Sequence, residues 1–307
     1  MVKPLFVLGC LLLTISSQPE KAPQPALFAP GIISTGGFES HPAFTPDGRT
    51  LYFVKSTPNF SFWTICVSHR TNGAWSRPEV APFSGRYSDA DPFITRDGAH
   101  LYFISTRPLT AGGEAKDLDI WVMDRAGTGW TEPRPLPAPI NSAGAEWFPT
   151  LAANGTLYFG SDRPGGQGRT DLYRARLVDG RHAEPENLGA VVNGPGNDFE
   201  PLIAPDESFL IFMSGRPGGR GLGDLWVTYN RSGAWTPPAD LGAGVNSPGS
   251  EYSPALSPDG GTFFWRARAR PSRPARAAAP IASGTTSSPV PVTASATSIP
   301  LGWRRCT

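Results

Sequence analysis

An all-β fold built from repeated small sheets is what this sequence predicts, and three observations predict it. One motif recurs five times at a period of about fifty residues. Glycine (35 residues) and proline (34) fill more than a fifth of the 307 positions, the punctuation of short strands and tight turns. Apolar residues alternate in short runs, and no long stretch of good helix formers interrupts them.

The chain opens with MVKPLFVLGCLLLTISS, one lysine followed by an apolar run from Leu5 to Leu13 and then small polar residues. That run is too short to span a bilayer, so residues 1–17 are expected to be a secretory signal peptide of a periplasmic or secreted protein, not membrane-spanning. Cys10 sits in a VLGC box but early in the apolar run; Cys66 and Cys306 lie far apart, so no disulfide framework or metal knuckle is expected. A formal charge of +1 spread over the chain excludes nucleic acid as the expected partner.

The five copies begin at Glu39, Asp89, Glu146, Asp198 and Glu251, with prolines at 42, 92, 149, 201 and 254. In each first strand the proline and the residue two further on share an apolar face, as Pro42 and Phe44 do. Asp47-Gly48, Asp97-Gly98, Asn154-Gly155 and Asp259-Gly260 supply hairpin turns. The second strands LYFV, LYFI, LYFG and LIFM are apolar on both faces and hence buried on both. Third strands follow as FWTICVS, DIWVMDR, DLYRARL and DLWVTYN, and a fourth segment as in GAWSRPEVA. Four antiparallel strands per repeat, none able to cover both faces alone, predict a β-propeller of five four-stranded blades over residues 29–265, with six blades as the alternative.

Two features concern the seam. Residues 29–39 resemble 241–251, with Ile33 and Ser34 standing where Val245 and Asn246 do, so the N-terminal strand is expected to close an incomplete last blade. In that blade Arg266 replaces the aliphatic or glycine of the other copies, and no third strand follows. Residues 267–307, rich in Ala, Arg, Pro, Ser and Thr without an acid or lysine, are expected to be a disordered tail or the product of a shifted reading frame near codon 266.

Acids stand three residues before each repeat proline: Glu39, Asp89, Glu146, Asp198 and Glu251. Simple strand alternation puts them around one mouth of the channel, with His41, Asp91 and Glu200 further along the same face. These five mouth acids, together with residues that the repeat does not demand, among them His41, Asp91, Trp147, Phe148, Glu200 and Tyr252, are the candidate binding positions. Arg107, Arg163 and Arg216 recur together with Asp119, Asp171 and Asp224, whereas the first copy has Thr57 and Ser61; these arginines are expected to pair with those aspartates or with the mouth acids, as structure. No nucleophile elbow, zinc-protease pair, phosphate loop or metal spacing occurs, and His69, His100 and His182 fall in loops or turns, so no cofactor, metal or catalytic residue is assigned.

SPDG or TPDG ahead of LYF, then SDRPGG, then DLW or DIW, resembles the WD-repeat-like β-propeller repeat with the Pro-Asp-Gly signature, best known from TolB-like proteins. The resemblance covers residues 29–265 and implies the propeller fold of such periplasmic proteins, its motif residues being the ones that build blades rather than ones that carry an activity. The function expected is therefore a monomeric, exported binding protein for a protein or cell-envelope ligand without chemistry of its own. The alternative is a carbohydrate-active hydrolase or lyase using channel carboxylates such as Asp91, Glu200 and Glu251.

Overall fold

The computed structural model describes residues 25–110, 112–114 and 117–269 and the backbone of one further strand, Thr293–Ser295. Among them there is no helix, and so none long and apolar enough to cross a membrane. The strands group into antiparallel sheets in the order of the sequence repeat.

Sheet 1 contains Phe38–Phe44, Thr50–Ser56, Trp63–Thr71 and the short outer strand Glu79–Val80. Sheet 2 contains Asp89–Ile94, His100–Ser105, Asp119–Ala126 and Arg134–Pro135. Sheet 3 is Glu146–Leu151, Leu157–Ser161, Asp171–Ala175 and Glu186–Asn187. Sheet 4 is Asp198–Ile203, Phe209–Ser214, Asp224–Arg231 and Ala239–Asp240. Sheet 5 has three strands, Ser250–Leu256, Phe263–Arg268 and Thr293–Ser295. The segment read as one fourth strand is divided: in sheets 1, 2 and 4 its early part, Ala74–Trp75, Gly129–Trp130 and Ala234–Trp235, folds back as a hairpin on the long third strand, and only later residues form the outer strand.

Packing between sheets makes the architecture propeller-like. Leu101, Phe103 and Met123 of sheet 2 meet Tyr52, Ile65 and Val67 of sheet 1. Leu157 and Phe159 meet Ile120, Leu136 and Ile140 across the next gap, and Leu210 and Phe212 meet Tyr158, Leu172 and Val192 across the third. Phe263 and Trp265 meet Ile211, Leu225 and Val227 across the fourth. Across the last gap Ile33 packs on Leu51 and Phe53 of sheet 1, while Phe28 sets its ring edge-on to Phe264 of sheet 5 at 5.2 Å. Ile33 thus occupies the place in its gap that Ile140 and Val192 occupy in theirs. Arg266 is buried and reaches over the same seam, donating to the carbonyls of Glu39 (2.8 Å) and Gly37 (3.0 Å). The residue that looks like a break in the repeat is a clasp between sheets 5 and 1. Of the expected tail, residues 270–292 and 296–307 lie outside the described residues, as do the proposed signal peptide, Cys10 and Cys306. Cys66 is a buried free thiol.

A second repeated device fixes the third strand. Asn141, Asn193 and Asn246 each accept the N–H and donate to the C=O of one third-strand residue, respectively Ile120, Leu172 and Leu225, at 2.8–3.0 Å. Sheet 1 uses Ser84, whose hydroxyl accepts from Ile65 N–H at 3.0 Å. Replacing Asn193 by alanine strands the buried N–H of Leu172, at a cost of about 1–3 kcal/mol, while the Leu172 C=O keeps the N–H of Leu188 at 3.0 Å. Urea denaturation of Asn193→Ala should therefore show a loss of roughly 1–3 kcal/mol with an unchanged slope.

Candidate functional site

Each inner strand is interrupted at its proline. Register shifts fall between Ser40 and Ala43, Ala90 and Phe93, Trp147 and Thr150, Phe199 and Leu202, and Tyr252 and Ala255. Proline has no N–H to give the ladder, so the X-Pro pair bulges out of it. The residue before each proline takes a left-handed backbone: φ is 52° at His41, 54° at Asp91, 51° at Phe148 and 58° at both Glu200 and Ser253. For residues with a side chain this conformation is strained by roughly 1–3 kcal/mol, a cost that a packed surround must hold in place.

The bulge changes which side chains face the axis. Alternation put the five leading acids at an open mouth, and the structure corrects this: Glu39, Asp89, Glu146, Asp198 and Glu251 are at most 2% exposed. Arg107 Nη2 lies 2.7 Å from Asp89, Arg163 Nη2 3.1 Å from Glu146 and Arg216 Nη2 2.6 Å from Asp198. Each guanidinium also lies over aromatic rings of its own sheet: Arg107 over Phe103 and Trp121, Arg163 over Phe159 and Tyr173, Arg216 over Phe212 and Trp226. Sheet 1 has no such arginine, and Glu39 is faced instead by Lys55 (3.7 Å) and Arg266 (4.0 Å). Glu251 accepts from the N–H of Ser247 at 3.0 Å, and burial pushes its carboxyl up.

The third-strand aspartates serve turns. Asp171 accepts the N–H groups of Gln167 and Gly168, and Asp224 those of Arg220 and Gly221. A β-carbon on Gly166 or Gly219 would collide with these carboxylates, which is why the turn reads Pro-Gly-Gly. Asp119 is buried at the corresponding place in sheet 2.

At the axis stand the five bulge residues, one from each sheet, and they touch one another. His41 Nε2 is 2.9 Å from Ser253 Oγ, 3.4 Å from Asp91 Oδ1 and 3.6 Å from Glu200 Oε1. Its ring stacks on Phe148 at 5.1 Å. Phe148 N–H donates to Asp91 Oδ2 at 3.3 Å, and Ser253 N–H donates to Glu200. Behind this ring lie half-buried aromatics, Trp147 stacked on Phe148 and Tyr252 beside His41. In front of it opens a cavity of about 460 Å³ whose wall carries all five repeat prolines and apolar residues such as Phe93 and Leu151, with Arg96 and Asp259 at its far end. His41, Asp91, Phe148, Glu200 and Ser253 form its floor. Of the candidate binding residues, His41, Asp91, Phe148 and Glu200 are thus brought together. Ser253 and the prolines were missed; the signal was available in the column of five unlike residues immediately before the repeated proline.

Electrostatics couple His41 and Asp91 at the floor. Burial, the largest influence on His41, lowers its affinity for a proton, but the carboxylates of Asp91 and Glu200 outweigh it and hold the imidazole above its ordinary 6.5. Burial pushes Asp91 up to about 7 against the pull of His41. The group includes a serine, a histidine and an acid, yet it does not match a nucleophilic relay. Nδ1 of His41 faces Ser40 Oγ at 2.9 Å, and both carboxylates lie on the Nε2 side that Ser253 shares. A nitrogen holding a proton for a carboxylate cannot also accept one from a serine. Among the described residues no group of three His, Cys, Asp or Glu is arranged to hold a metal ion.

No family model matches the chain, and comparison with curated proteins gave no match. Solved structures do match. Putative TolB from Agrobacterium tumefaciens is similar at a TM-score of 0.50 and 18% identity, covering 76% of this chain and 71% of that one. An alpha-L-arabinofuranosidase from Lactobacillus brevis is similar at a TM-score of 0.50 and 14% identity, covering 84% and 90%. TolB from Acinetobacter baumannii has a TM-score of 0.47 and 17% identity, and this chain spans 48% of its length. At these identities the likeness is one of fold.

Two predictions follow from the buried charges. Arg107→Met leaves Asp89 buried without its cation and should lower unfolding free energy by about 3–5 kcal/mol, part of which Asp89→Asn restores in the double variant. Raised folded-state values mean that the folded protein holds more protons than the unfolded chain, so the floor's contribution is full below pH 4 and is lost as pH rises through about 7 for Asp91 and above 6.5 for His41. The gap in melting temperature between wild type and Asp91→Asn should accordingly change across pH 4–7. Asp91 contributes up to about 1.4 kcal/mol per pH unit, roughly 3–6 °C.

Proposed function

We propose that the chain is an exported five-bladed β-propeller that takes a protein segment or cell-envelope ligand into the proline-walled funnel at its axis and performs no chemistry there. Ile33 in the last gap supports closure of the fifth blade by the N-terminal segment, and the apolar leader of residues 1–17 supports export to the periplasm or beyond. The observation that carries the binding reading is the floor of the funnel. Hydrolysis of a glycoside by two carboxylates needs them to flank the bond with about 5–9.5 Å between them. Here the imidazole of His41 lies against both Asp91 and Glu200, and each carboxylate also accepts a backbone N–H from the next bulge. The groups that would do chemistry are engaged with one another, while the wall above them offers rigid apolar surface to a guest.

Two observations favour the second reading, a carbohydrate-active hydrolase or lyase: Asp91, at about 7, titrates where a general acid would, and an arabinofuranosidase is similar in fold. Glu251 is not part of that reading, being buried outside the cavity.

Immobilised protein should retain a component of envelope extract that a funnel-blocked variant, Ala255→Trp, releases. Liberation of reducing sugar from a polysaccharide panel by the wild type, abolished in Asp91→Asn, would reverse the order of the two readings.

A further inference from the structure

The third-strand position of sheet 5 is where the chain stops repeating itself. In the other four sheets that strand pairs with the second over five to seven residues. Each such strand sends one fully buried aliphatic residue, Ile65, Ile120, Leu172 or Leu225, into the gap toward the next sheet. In sheet 5 the place is taken by Thr293–Ser295, paired with only three residues, Phe263–Trp265. Its sequence, Thr-Ala-Ser, contains no large aliphatic residue.

The surroundings leave room for a larger residue than these three. The cluster in the last gap has four buried members, Ile33, Leu51, Phe53 and Cys66, and a cavity of about 30 Å³ remains there, bounded by Ile33, Leu51, Phe53 and Trp265 and, toward the axis, by His41 and Ser253 of the inner strands. Ser34, 5% exposed, stands where Asn141, Asn193 and Asn246 fix the third strand in other sheets. Its hydroxyl donates to Phe28 O at 2.7 Å and keeps lone pairs to accept an N–H, as Ser84 does from Ile65. Among the described residues nothing pairs with the outer side of Arg266–Arg268.

We propose that this position is a strand-acceptor site, at which the edge of Phe263–Arg268 takes up an extended peptide of the type Leu/Ile-Trp/Tyr preceded by Asp, in place of Thr293–Ser295. The sheet ladder supplies affinity and the pocket beside Leu51 and Phe53 selects the aliphatic residue. The chemistry of the guest is set by the four occupied positions, which read Ile-Cys, Asp-Ile-Trp, Asp-Leu-Tyr and Asp-Leu-Trp. The tail strand is a competitor on the same chain, present at an effective concentration that a guest must exceed.

The test uses the full chain and a peptide copied from residues 223–229, Gly-Asp-Leu-Trp-Val-Thr-Tyr. Calorimetry should give saturable one-to-one binding, at least about tenfold weaker for a shuffled peptide. Ala294→Pro, which removes a backbone donor from the competitor, should tighten binding about tenfold. Amide exchange should slow along Phe263–Arg268. Absence of binding to both proteins, equal binding of the shuffled peptide, or protection confined to another sheet would overturn the proposal. So would self-association of the protein alone that the peptide fails to reverse, since the occupant would then be a second copy.

Discussion

A small sheet that is apolar on both faces is unstable in water until each face finds another sheet, and that requirement governs everything else in this molecule. The second strands, with Leu51, Leu101, Leu157 and Leu210 completely buried, leave no face that solvent could cover. Each sheet therefore needs two neighbours, and a row of sheets with that need ends only by meeting itself. Ile33, Phe28 and Arg266 belong to that meeting, linking the last sheet to the first. Once the inner strands converge, five side chains are forced into the same few ångströms at the axis, and their chemistry becomes collective.

The plan of the chain was legible because the repeat writes the same physics five times. Asp-Gly and Asn-Gly turns gave the hairpins, and Gly48, Gly98, Gly155 and Gly260 all adopt positive φ. The fourth copy lacks that glycine, and Glu207 takes the left-handed conformation at the cost of strain. The register of Ile33 with Val245 was also readable, since both carry the same apolar load. What escaped was geometry that depends on a single departure from two-residue alternation. The bulge before each proline turns His41, Asp91 and Glu200 to the axis and leaves Glu39, Asp89 and Glu146 between sheets, a separation no periodicity argument contains. Arg266 misled for a related reason: its column is aliphatic or glycine elsewhere, but only at this seam does a side chain need to reach the carbonyls of Gly37 and Glu39.

The charged residues divide by their partners. Arg107 with Asp89, Arg163 with Glu146 and Arg216 with Asp198 are buried pairs wedged on aromatic rings, and their repetition marks them as parts of the scaffold. Asp91, Glu200 and His41 stand in a column whose residue changes from copy to copy, and they meet one another across sheets. A repeated ion pair specifies how a sheet is built, whereas an unrepeated cluster at the centre specifies what the ring meets.

The left-handed position before each proline holds five chemically different side chains, His, Asp, Phe, Glu and Ser, at φ values within a few degrees of one another. The main chain at that point does not register which residue it carries. Sequence drift confined to this one column can recompose the axial surface, cationic, acidic, aromatic or hydroxylic, while every hairpin and every gap between sheets stays as it was. The ring behaves as a set of five interchangeable sockets, and descendants of this gene could acquire a new specificity through a handful of codons without renegotiating the fold.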